Sequence, residues 1–429
     1  MPVPMTRRAV SALLCALVLA PAVIACRPGA PPPVSADIVA MMSGPTEGFA
    51  RAVGPRPLLF PDDEGAHPEY RTEWWYYTGH LFAQAGESGV KESGVSAVPV
   101  NPNAAPSWLL ERDTGDRRRF GFQLTFFRSS VALPMAASAA PPSTAWTTTQ
   151  AYLAHFTVTD VAADRFHSAE RLARGAIGLA GARAQPYHVW LGPWSAAAHP
   201  GGVDGGHAAA AGVRLRAADG PAAIDVTVRP VKSPALHGQA GWSRKGPEPG
   251  NASYYYSFTR LAATGVVTTA AGVWPVEGGV WMDHEWSTSA LADGRQGWDW
   301  LSLQLDDGRD IMAFQIRDAA GAPAPESSGS LVDDNKGGVR SFGASDFDLT
   351  PTGSWRSPRT GARYPSGWRL QLPGEAVDLR LTPVVADQEL ATGFRYWEGA
   401  VTVDGTSGGR RIKGRGYVEL TGYAAPPAP

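Results

Sequence analysis

Cysteine and charged residues are scarce in this sequence. It has two cysteines among 429 residues, and Lys, Arg, Asp and Glu together make up only 18% of the chain. Cys15 lies in an N-terminal segment that we expect to be removed and Cys26 is expected to carry a lipid, which excludes a disulfide, a cysteine zinc site and a cysteine nucleophile. The 38 basic and 40 acidic residues nearly balance and form no basic stripe, so nucleic acid is not an expected partner.

Two classes of catalytic motif are also missing. The chain has no His-Glu-x-x-His and no glycine-rich phosphate loop that ends in Lys-Ser or Lys-Thr. We therefore expect neither a zinc protease nor a nucleotide enzyme, and we predict no cofactor and no metal. His199 and His207 lie in an Ala- and Gly-rich stretch without preset metal geometry, which is interpreted as a solvated loop.

Glycine and proline are abundant instead. The 49 Gly and 37 Pro disfavour helical bundles and helical solenoids. Aromatic and β-branched segments bounded by Gly, Pro or Asp predict strands at 73–81, 120–127, 151–158, 212–217, 224–230, 253–261, 278–286, 297–305, 311–317, 346–349, 368–372, 378–383, 396–403 and 416–422. We therefore predict an all-β chain of antiparallel meanders, with at most a helical turn or two at 169–174.

The N-terminus predicts export. Two arginines precede an apolar run from Ala9 to Ala25, which Pro21 interrupts, so this run is too short for a comfortable membrane span. The residues that lead into Cys26 resemble a bacterial lipobox, in which Cys26 would be acylated. We predict a signal peptide at 1–25, a lipidated tether at 26–57 and an outer-membrane anchor that faces the periplasm. The alternative is an ordinary cleaved signal with an incidental Cys26.

The length of the chain suggests two domains. A boundary near residue 275 divides the predicted strands into two comparable sets, so we predict an N-terminal domain at 58–275 and a C-terminal domain at 276–424. Stretches rich in Gly, Ser, Ala or Pro at 83–117, 133–147 and 196–212 are interpreted as surface insertions.

The segment from Trp298 to Leu305 alternates as expected for the wall of a cavity. With a strand period of two, Trp298, Trp300, Ser302 and Gln304 share one face, and mostly aliphatic residues occupy the other. Large aromatics mixed with small polar groups suit a wall that holds and orients a hydrophobic ligand. The alternative is that this face contacts the second domain.

The densest ionisable cluster is Asp283-His284-Glu285. On a strand, Asp283 and Glu285 share a face with Trp281 while His284 points the other way, so the three cannot chelate one metal together. Two buried carboxyls about 7 Å apart along a strand raise each other's pKa, which leaves one protonated near neutral pH. A protonated acid among aromatic rings is what the addition of water to an alkene requires.

Asp283, Glu285 and His284 are therefore the candidate catalytic residues. The alternative for the two carboxyls is purely structural, since buried carboxylates on strands commonly pair with arginine. In that case Asp283 and Glu285 would form ion pairs with Arg260 or Arg317 and close a barrel.

Seven aromatic-rich segments carry a family resemblance. In chain order they are Glu73-Trp74-Trp75-Tyr76, Gln123-Leu124-Thr125-Phe126-Phe127-Arg128, Ala154-His155-Phe156, Gly250-Asn251-Ala252-Ser253-Tyr254-Tyr255-Tyr256-Ser257, Trp281-Met282-Asp283-His284-Glu285-Trp286, Gly297-Trp298-Asp299-Trp300 and Tyr396-Trp397-Glu398-Gly399. Together they resemble the AttH-type family, whose members are described as lipocalin-like, carotenoid 1,2-hydratase-related or predicted secreted hydrolases. The resemblance covers roughly residues 58–423.

This resemblance implies two lipocalin-like antiparallel β-barrel domains packed together, often encoded beside an ABC exporter, and relatives that hydrate carotenoid double bonds. It carries a catalytic aspartate over to Asp283. Where the hydratases have His and Trp on an upstream strand, this chain has Tyr254 and Tyr256. That departure puts carotenoid hydration itself in doubt.

Two functions are consistent with these features. The first is an exported lipoprotein whose cavity binds a hydrophobic, lipid- or isoprenoid-like molecule and serves an ABC export system. The alternative is a cofactor-independent hydratase or hydrolase of such a molecule that uses Asp283 as acid or base. The expected partners are that small molecule, the membrane through the lipid anchor, and the exporter. The candidate ligand-binding residues are Trp75, Tyr254, Tyr256, Trp281, Trp298, Trp300 and Gln304.

Overall fold

The computed structural model describes residues 46–83, 117–131, 144–199, 212–289, 291–292, 294–334 and 338–424. The predicted signal peptide, Cys26 and most of the predicted tether and insertions lie outside the described residues. Within the described ranges, no helix is long and apolar enough to span a membrane.

The first sheet is antiparallel and has thirteen strands within the described part of the chain. They are β1 (Thr72–Ala83), β2 (Arg119–Ser130), β3 (Gln150–Asp160), β4 (Arg165–Arg174), β5 (Ala180–Arg183), β6 (His188–Leu191), β7 (Trp194–Ala198), β8 (Val213–Asp219), β9 (Ala222–Pro230), β10 (Ala235–Leu236), β11 (Trp242–Arg244), β12 (Ala252–Thr269) and β13 (Gly272–Ser287). Their order is β4-β3-β2-β1-β13-β12-β9-β8-β7-β6-β5, and β10 and β11 pair with β12. The sheet curls so that β6 contacts β2, β3 and β4, which makes a nearly closed barrel.

The second sheet is also antiparallel and has ten strands among the residues described. They are β14 (Arg295–Leu305), β15 (Asp310–Asp318), β16 (Ser328–Asp333), β17 (Gly338–Gly343), β18 (Asp348–Pro351), β21 (Trp368–Leu372), β22 (Val377–Pro383), β23 (Glu389–Ala391), β24 (Arg395–Ser407) and β25 (Arg410–Leu420), while β19 (Ser354–Arg356) and β20 (Arg363–Pro365) form a separate hairpin. The order is β17-β16-β15-β14-β25-β24-β22-β21-β18, with β23 beside β24. Short 3-10 helices occur at Asp62–Glu64, Val161–Ala163 and Pro373–Glu375.

Alternation along the central strands gives the first sheet two different faces. Trp75, Tyr256 and Trp286 point into the barrel and belong to its hydrophobic core. Tyr76 and Tyr255, their direct chain neighbours, point outward and pack with residues of the second sheet. The two sheets therefore meet face to face, with β1 against β25, β2 against β24 and β12 against β14.

A β-bulge in β12 carries two side chains that bind a carboxylate of the second sheet. The register of β12 against β13 shifts between Phe258 and Leu261. Within this bulge Thr259 donates a hydrogen bond to Asp310 of the second sheet at 2.9 Å, and the Arg260 guanidinium pairs with the same carboxylate at 2.6 Å. The bulge thus fixes the position of β15 relative to the first sheet.

The prediction of an all-β chain with two antiparallel barrel-like sheets is confirmed, and each predicted strand overlaps an observed one. The helical turn predicted at 169–174 is wrong. This segment belongs to β4, an edge strand that pairs with β3 along its whole length, because main-chain pairing to a neighbouring strand outweighs weak local helix propensity.

The structure also locates the predicted segment boundaries. Residue 275 lies inside β13, and the chain passes from the first sheet to the second between Ser287 and Arg295. At the other end, Trp242 donates to the Ala52 carbonyl at 2.8 Å and Tyr254 to the Gly54 carbonyl at 3.0 Å. Packing against the first sheet therefore begins before Leu58.

Candidate active site between the two sheets

A cavity of about 740 Å³, including its opening, lies between the outer face of the first sheet and the second sheet. From the first sheet it is lined by Trp74, Tyr76, Phe127, Tyr255, Asp283 and Glu285. From the second sheet it is lined by Trp298, Trp300, Phe314, Ile316 and Glu419, and Lys245 and Leu291 lie at its wall. Aromatic and apolar groups dominate, and the carboxyls stand out among them.

The hydrogen-bond donors to Asp283 are neutral, and Asp283 forms no ion pair within the described residues. Its carboxylate accepts hydrogen bonds from Trp281 Nε1 at 2.6 Å, from the Tyr255 hydroxyl at 2.8 Å and from the Ser257 hydroxyl. Burial and, to a smaller extent, the nearby Glu285 raise the pKa of Asp283 to about 7, against the opposing effect of these donors. Asp283 therefore exchanges a proton near neutral pH.

His237 is linked to Asp283 by a chain of hydrogen bonds through Ser257. His237 Nε2 lies 2.6 Å from Ser257 Oγ, and Nδ1 lies 3.0 Å from Ser330 Oγ of the second sheet. Burial and the neighbouring Lys245 lower the pKa of His237 to about 3, so the ring is neutral. Because Ser257 donates to Asp283, its oxygen accepts from His237, and Ser330 donates to the other ring nitrogen. This chain of hydrogen bonds fixes the Asp283 carboxyl.

Glu285 differs from Asp283 in having a cation beside it. Lys245 Nζ lies 3.2 Å from Glu285 Oε1, and Ser253 donates to the same oxygen. The ammonium also lies 3.7 Å from the centre of the Phe314 ring. Burial lowers the pKa of Lys245 while Glu285 opposes this shift. Glu285 is therefore held in a buried ion pair at the wall of the cavity.

A second carboxyl pair lies on the second sheet, and one of its members, Glu419, lines the cavity. Glu398 and Glu419 are direct partners in the register of β24 and β25. Trp298 Nε1 donates to Glu419 Oε1 at 2.8 Å, and the Tyr76 hydroxyl of the first sheet donates to Glu398. Burial, followed by the charge of Glu419, raises the pKa of Glu398 well above its usual range. Burial likewise raises the pKa of Glu419 to about 7.

The arginine ion pairs considered as an alternative for Asp283 and Glu285 are wrong. Arg260 pairs with Asp310 at 2.6 Å, and Arg317 pairs with Asp299 at 3.1 Å. Both arginines thus neutralise other carboxylates, and the cation beside Glu285 is Lys245.

His284 lies on the opposite face of β13, inside the barrel. There the Glu73 network (His67, Glu73, Arg128 and His284) is built around one carboxylate. Glu73 Oε1 accepts from His67 at 2.7 Å and lies 2.9 Å from His284 Nε2, and Oε2 accepts from Arg128 at 2.7 Å. Despite burial, the charges of Arg128 and His67 lower the pKa of Glu73 well below its usual range. Burial lowers the pKa of His67, but Glu73 and Asp63 outweigh it and raise the value to about 9.

Only one described group of three side chains has the spacing of metal ligands. The donor atoms of His67, Glu73 and His284 lie within 4.8 Å of one another. Arg128 already occupies one side of Glu73, and His67 is protonated at neutral pH. These side chains form a buried ion network around one carboxylate.

The ligand-binding residues predicted from the sequence divide between the two faces. Trp298 and Trp300 line the cavity, and Trp281 contacts Asp283 there. Trp75, Tyr254 and Tyr256 belong instead to the core of the barrel.

The mixed face of β14 has both of the surroundings considered for it. Trp298 and Trp300 line the cavity, whereas Gln304 contacts the first sheet through the carbonyls of Thr259 at 2.7 Å and Val280 at 3.1 Å. One strand face therefore serves as cavity wall and as sheet interface.

Sequence reasoning missed three groups of this site, namely Tyr255, Lys245 and Glu419. The register would have identified Tyr255, because it shares a face with Ser257, which is directly opposite Asp283. Nothing in the local sequence distinguishes Lys245 or Glu419 from an ordinary surface charge.

This chain is similar to a known protein family and to two proteins of known structure. A family model described as AttH-like matches residues 108–423. A crystal structure from Nitrosomonas europaea, whose description assigns it to AttH, is 34% identical, covers 88% of this chain and 100% of its own, and superposes with a TM-score of 0.68. The kievitone hydratase of Nectria haematococca is 13% identical with a TM-score of 0.60, covers 87% of this chain and 98% of its own, and shares the fold.

The kievitone hydratase of Fusarium solani subsp. phaseoli is similar in sequence as well. It is 24% identical over 221 residues, which correspond to 48% of this chain and 59% of that relative. The similarity thus spans less than two thirds of the relative. The AttH-like model spans well over half of this chain, and the Nitrosomonas europaea protein is similar over nearly all of it, so the chain belongs to the AttH-like family.

Proposed function

We propose that this protein is a cofactor-independent hydratase that adds water to a carbon–carbon double bond of a hydrophobic molecule. The observation that carries the proposal is the buried Asp283 carboxyl, which faces an aromatic cavity and has a pKa raised to about 7. A general acid works best when its pKa lies near the working pH. The similarity to a curated kievitone hydratase supports the same class of reaction.

The surroundings of Asp283 suit proton transfer to an alkene. The carboxyl gives its proton to one alkene carbon, and the other carbon becomes cationic. The faces of Trp74, Trp298 and Trp300 in the cavity wall stabilise this positive charge. The three donors on Asp283 then hold the carboxylate that remains. Water forms the new C–O bond and releases one proton, so the net reaction is the addition of one H₂O.

The test uses the purified full chain with kievitone and, separately, lycopene in water enriched in ¹⁸O. Hydration adds the mass of one labelled water to the product, which liquid chromatography with mass spectrometry detects. No labelled alcohol from either compound, with folded protein at pH 7, would argue against the hydratase proposal.

A carrier that holds such a molecule without converting it is the second candidate. It is favoured by the predominantly aromatic walls of the cavity. Native mass spectrometry of protein purified without detergent separates the two functions. A co-purifying lipophile that keeps its mass during incubation supports the carrier, and one that gains water supports the enzyme.

Export and lipidation at Cys26 are part of the same proposal, with an ABC exporter as the expected partner in transport. We expect Cys26→Ser to release the protein from membranes without a change in its melting temperature, because Cys26 precedes the packed residues. Fractionation of cells that express the two forms measures this, and unchanged membrane association of the variant would contradict the anchor.

A further inference from the structure

The wall opposite Asp283 carries a carboxyl that the proposed hydration leaves without a role. Three carboxyls line the cavity within the described ranges, namely Asp283, Glu285 and Glu419. Glu285 is paired with Lys245 at 3.2 Å and bonded to Ser253. Glu419 lies on the second sheet and has no cation among its contacts in the described part of the chain; instead the indole N–H of Trp298 holds Oε1.

We infer that Glu419 is the general base of the proposed hydration, taking the proton from the water that attacks the carbocation. This inference rests on the proposed function and adds a second catalytic residue to it. The placement is suitable because Asp283 and Glu419 face the same cavity from different sheets. A substrate between them receives its proton from one side and its water from the other.

The neighbours of Glu419 keep it in position as an acceptor. Glu398, its partner across the β24–β25 pair, receives the Tyr76 hydroxyl and is protonated, since burial and the charge of Glu419 raise its pKa. The protonated Glu398 hydrogen-bonds to Glu419 and lowers the pKa of Glu419, as Trp298 does. Burial and the charges of Asp283 and Glu285 act in the opposite direction and bring the pKa of Glu419 to about 7, which suits a base at neutral pH.

The step balances with these two carboxyls alone. Asp283 loses its proton to one alkene carbon, the water oxygen forms a bond to the other carbon, and one water O–H bond breaks as its proton moves to Glu419. The product is a neutral alcohol, Asp283 is left ionised and Glu419 protonated. Solvent that enters after product release returns the proton from Glu419 to Asp283, so no cofactor or co-reactant is consumed.

The experiment separates protonation of the alkene from capture by water. Wild type and Glu419→Gln are incubated with whichever of kievitone and lycopene wild type hydrates, in D₂O, and both the alcohol and the recovered alkene are analysed. A cation that forms without a base for water loses a proton again, which leaves deuterium in the alkene or shifts its double bond. We expect Glu419→Gln to form alcohol about 10²- to 10⁴-fold more slowly while deuterated or isomerised alkene still accumulates. We expect Asp283→Asn to slow the formation of both products about 10²- to 10⁴-fold, because the cation no longer forms readily.

Glu170→Gln is the matched control, because Glu170 contacts His155 outside the cavity lining and the amide keeps a hydrogen bond there. Alcohol formation by Glu419→Gln at the wild-type rate overturns the inference and leaves the hydratase proposal standing. No alcohol from wild type overturns both. If Glu419→Gln does not fold, Glu419→Ala with added formate provides the second measurement. Restored alcohol formation supports the base, and a folded alanine variant that formate does not rescue overturns it.

Discussion

The two faces of the first sheet shift the pKa of a buried carboxyl in opposite directions. On the inner face Glu73 meets Arg128, His67 and His284 and is strongly held as an anion. On the outer face Asp283 meets only neutral donors, and burial raises its pKa. Neighbouring residues of β13, His284 and Asp283, belong to the two different sites. A carboxylate with full countercharge stabilises the fold, whereas one without it keeps a transferable proton, so the same strand serves structure and chemistry.

The largest expected effect is on stability, from the inner face. Glu73→Gln leaves Arg128 without its counterion and removes one of the two carboxylates beside His67, which we expect to lower the free energy of unfolding by about 3–5 kcal/mol. Chemical denaturation measures this. Asp378→Asn, which breaks an exposed pair with Arg369, is the control and should leave the midpoint nearly unchanged. If Glu73→Gln changed the denaturation midpoint as little as Asp378→Asn does, the inner-face carboxylate would not stabilise the fold more than an exposed one.

The second largest effect is expected on the hydration rate, from a substitution on the outer face of the first sheet. Asp283→Asn keeps the shape and hydrogen-bonding capacity of the side chain but removes its proton, so we expect the hydration rate to fall about 10²- to 10⁴-fold. The melting temperature should not fall, because Asp283 forms no ion pair within the described residues.

Glu285→Gln is the comparison on the same face. It leaves Lys245 without its counterion, so it should lower the melting temperature more than Asp283→Asn does. A lowered melting temperature in Asp283→Asn with turnover retained below it would contradict the catalytic role.

The smallest effect is on the pH dependence of stability. The pKa of Asp283 is raised from 3.8 to about 7. Its contribution to the free energy of unfolding is therefore complete below pH 3.8 and is lost as pH rises through 7. The pKa of His67 is raised from 6.5 to about 9, so its contribution is complete below pH 6.5 and is lost as pH rises through 9. Melting temperatures measured from pH 4 to 10 should depend less on pH up to about 7 in Asp283→Asn than in wild type. In His67→Gln they should depend less on pH between 6.5 and about 9. Identical slopes in both variants would show that the two faces do not titrate separately.

The sequence predicted the faces of β13 and β14 correctly because strand alternation is a local property. Asp283 and Glu285 share a face in the structure, and His284 occupies the other, as expected. Tyr254 and Tyr256, predicted as ligand contacts, lie in the core of the barrel and not at the cavity between the sheets. Three consecutive tyrosines have no pattern of their own, and only the pairing of β12 with β13 selects Tyr255 for the cavity.

The sequence by itself determined fourteen of the 25 strands in the described residues, their turns and the presence of an acid among aromatics. These depend on neighbouring residues, and Gly308, with a φ of 90° in the turn after β14, shows how directly one residue permits a tight connection. Only the tertiary structure decided where the cavity lies and which charges meet in it. Asp283 and Glu419 are far apart in the chain and come to opposite walls because two separate sheets pack face to face. Burial and pairing, which set the pKa of each carboxyl, arise from that packing and have no counterpart in the local sequence.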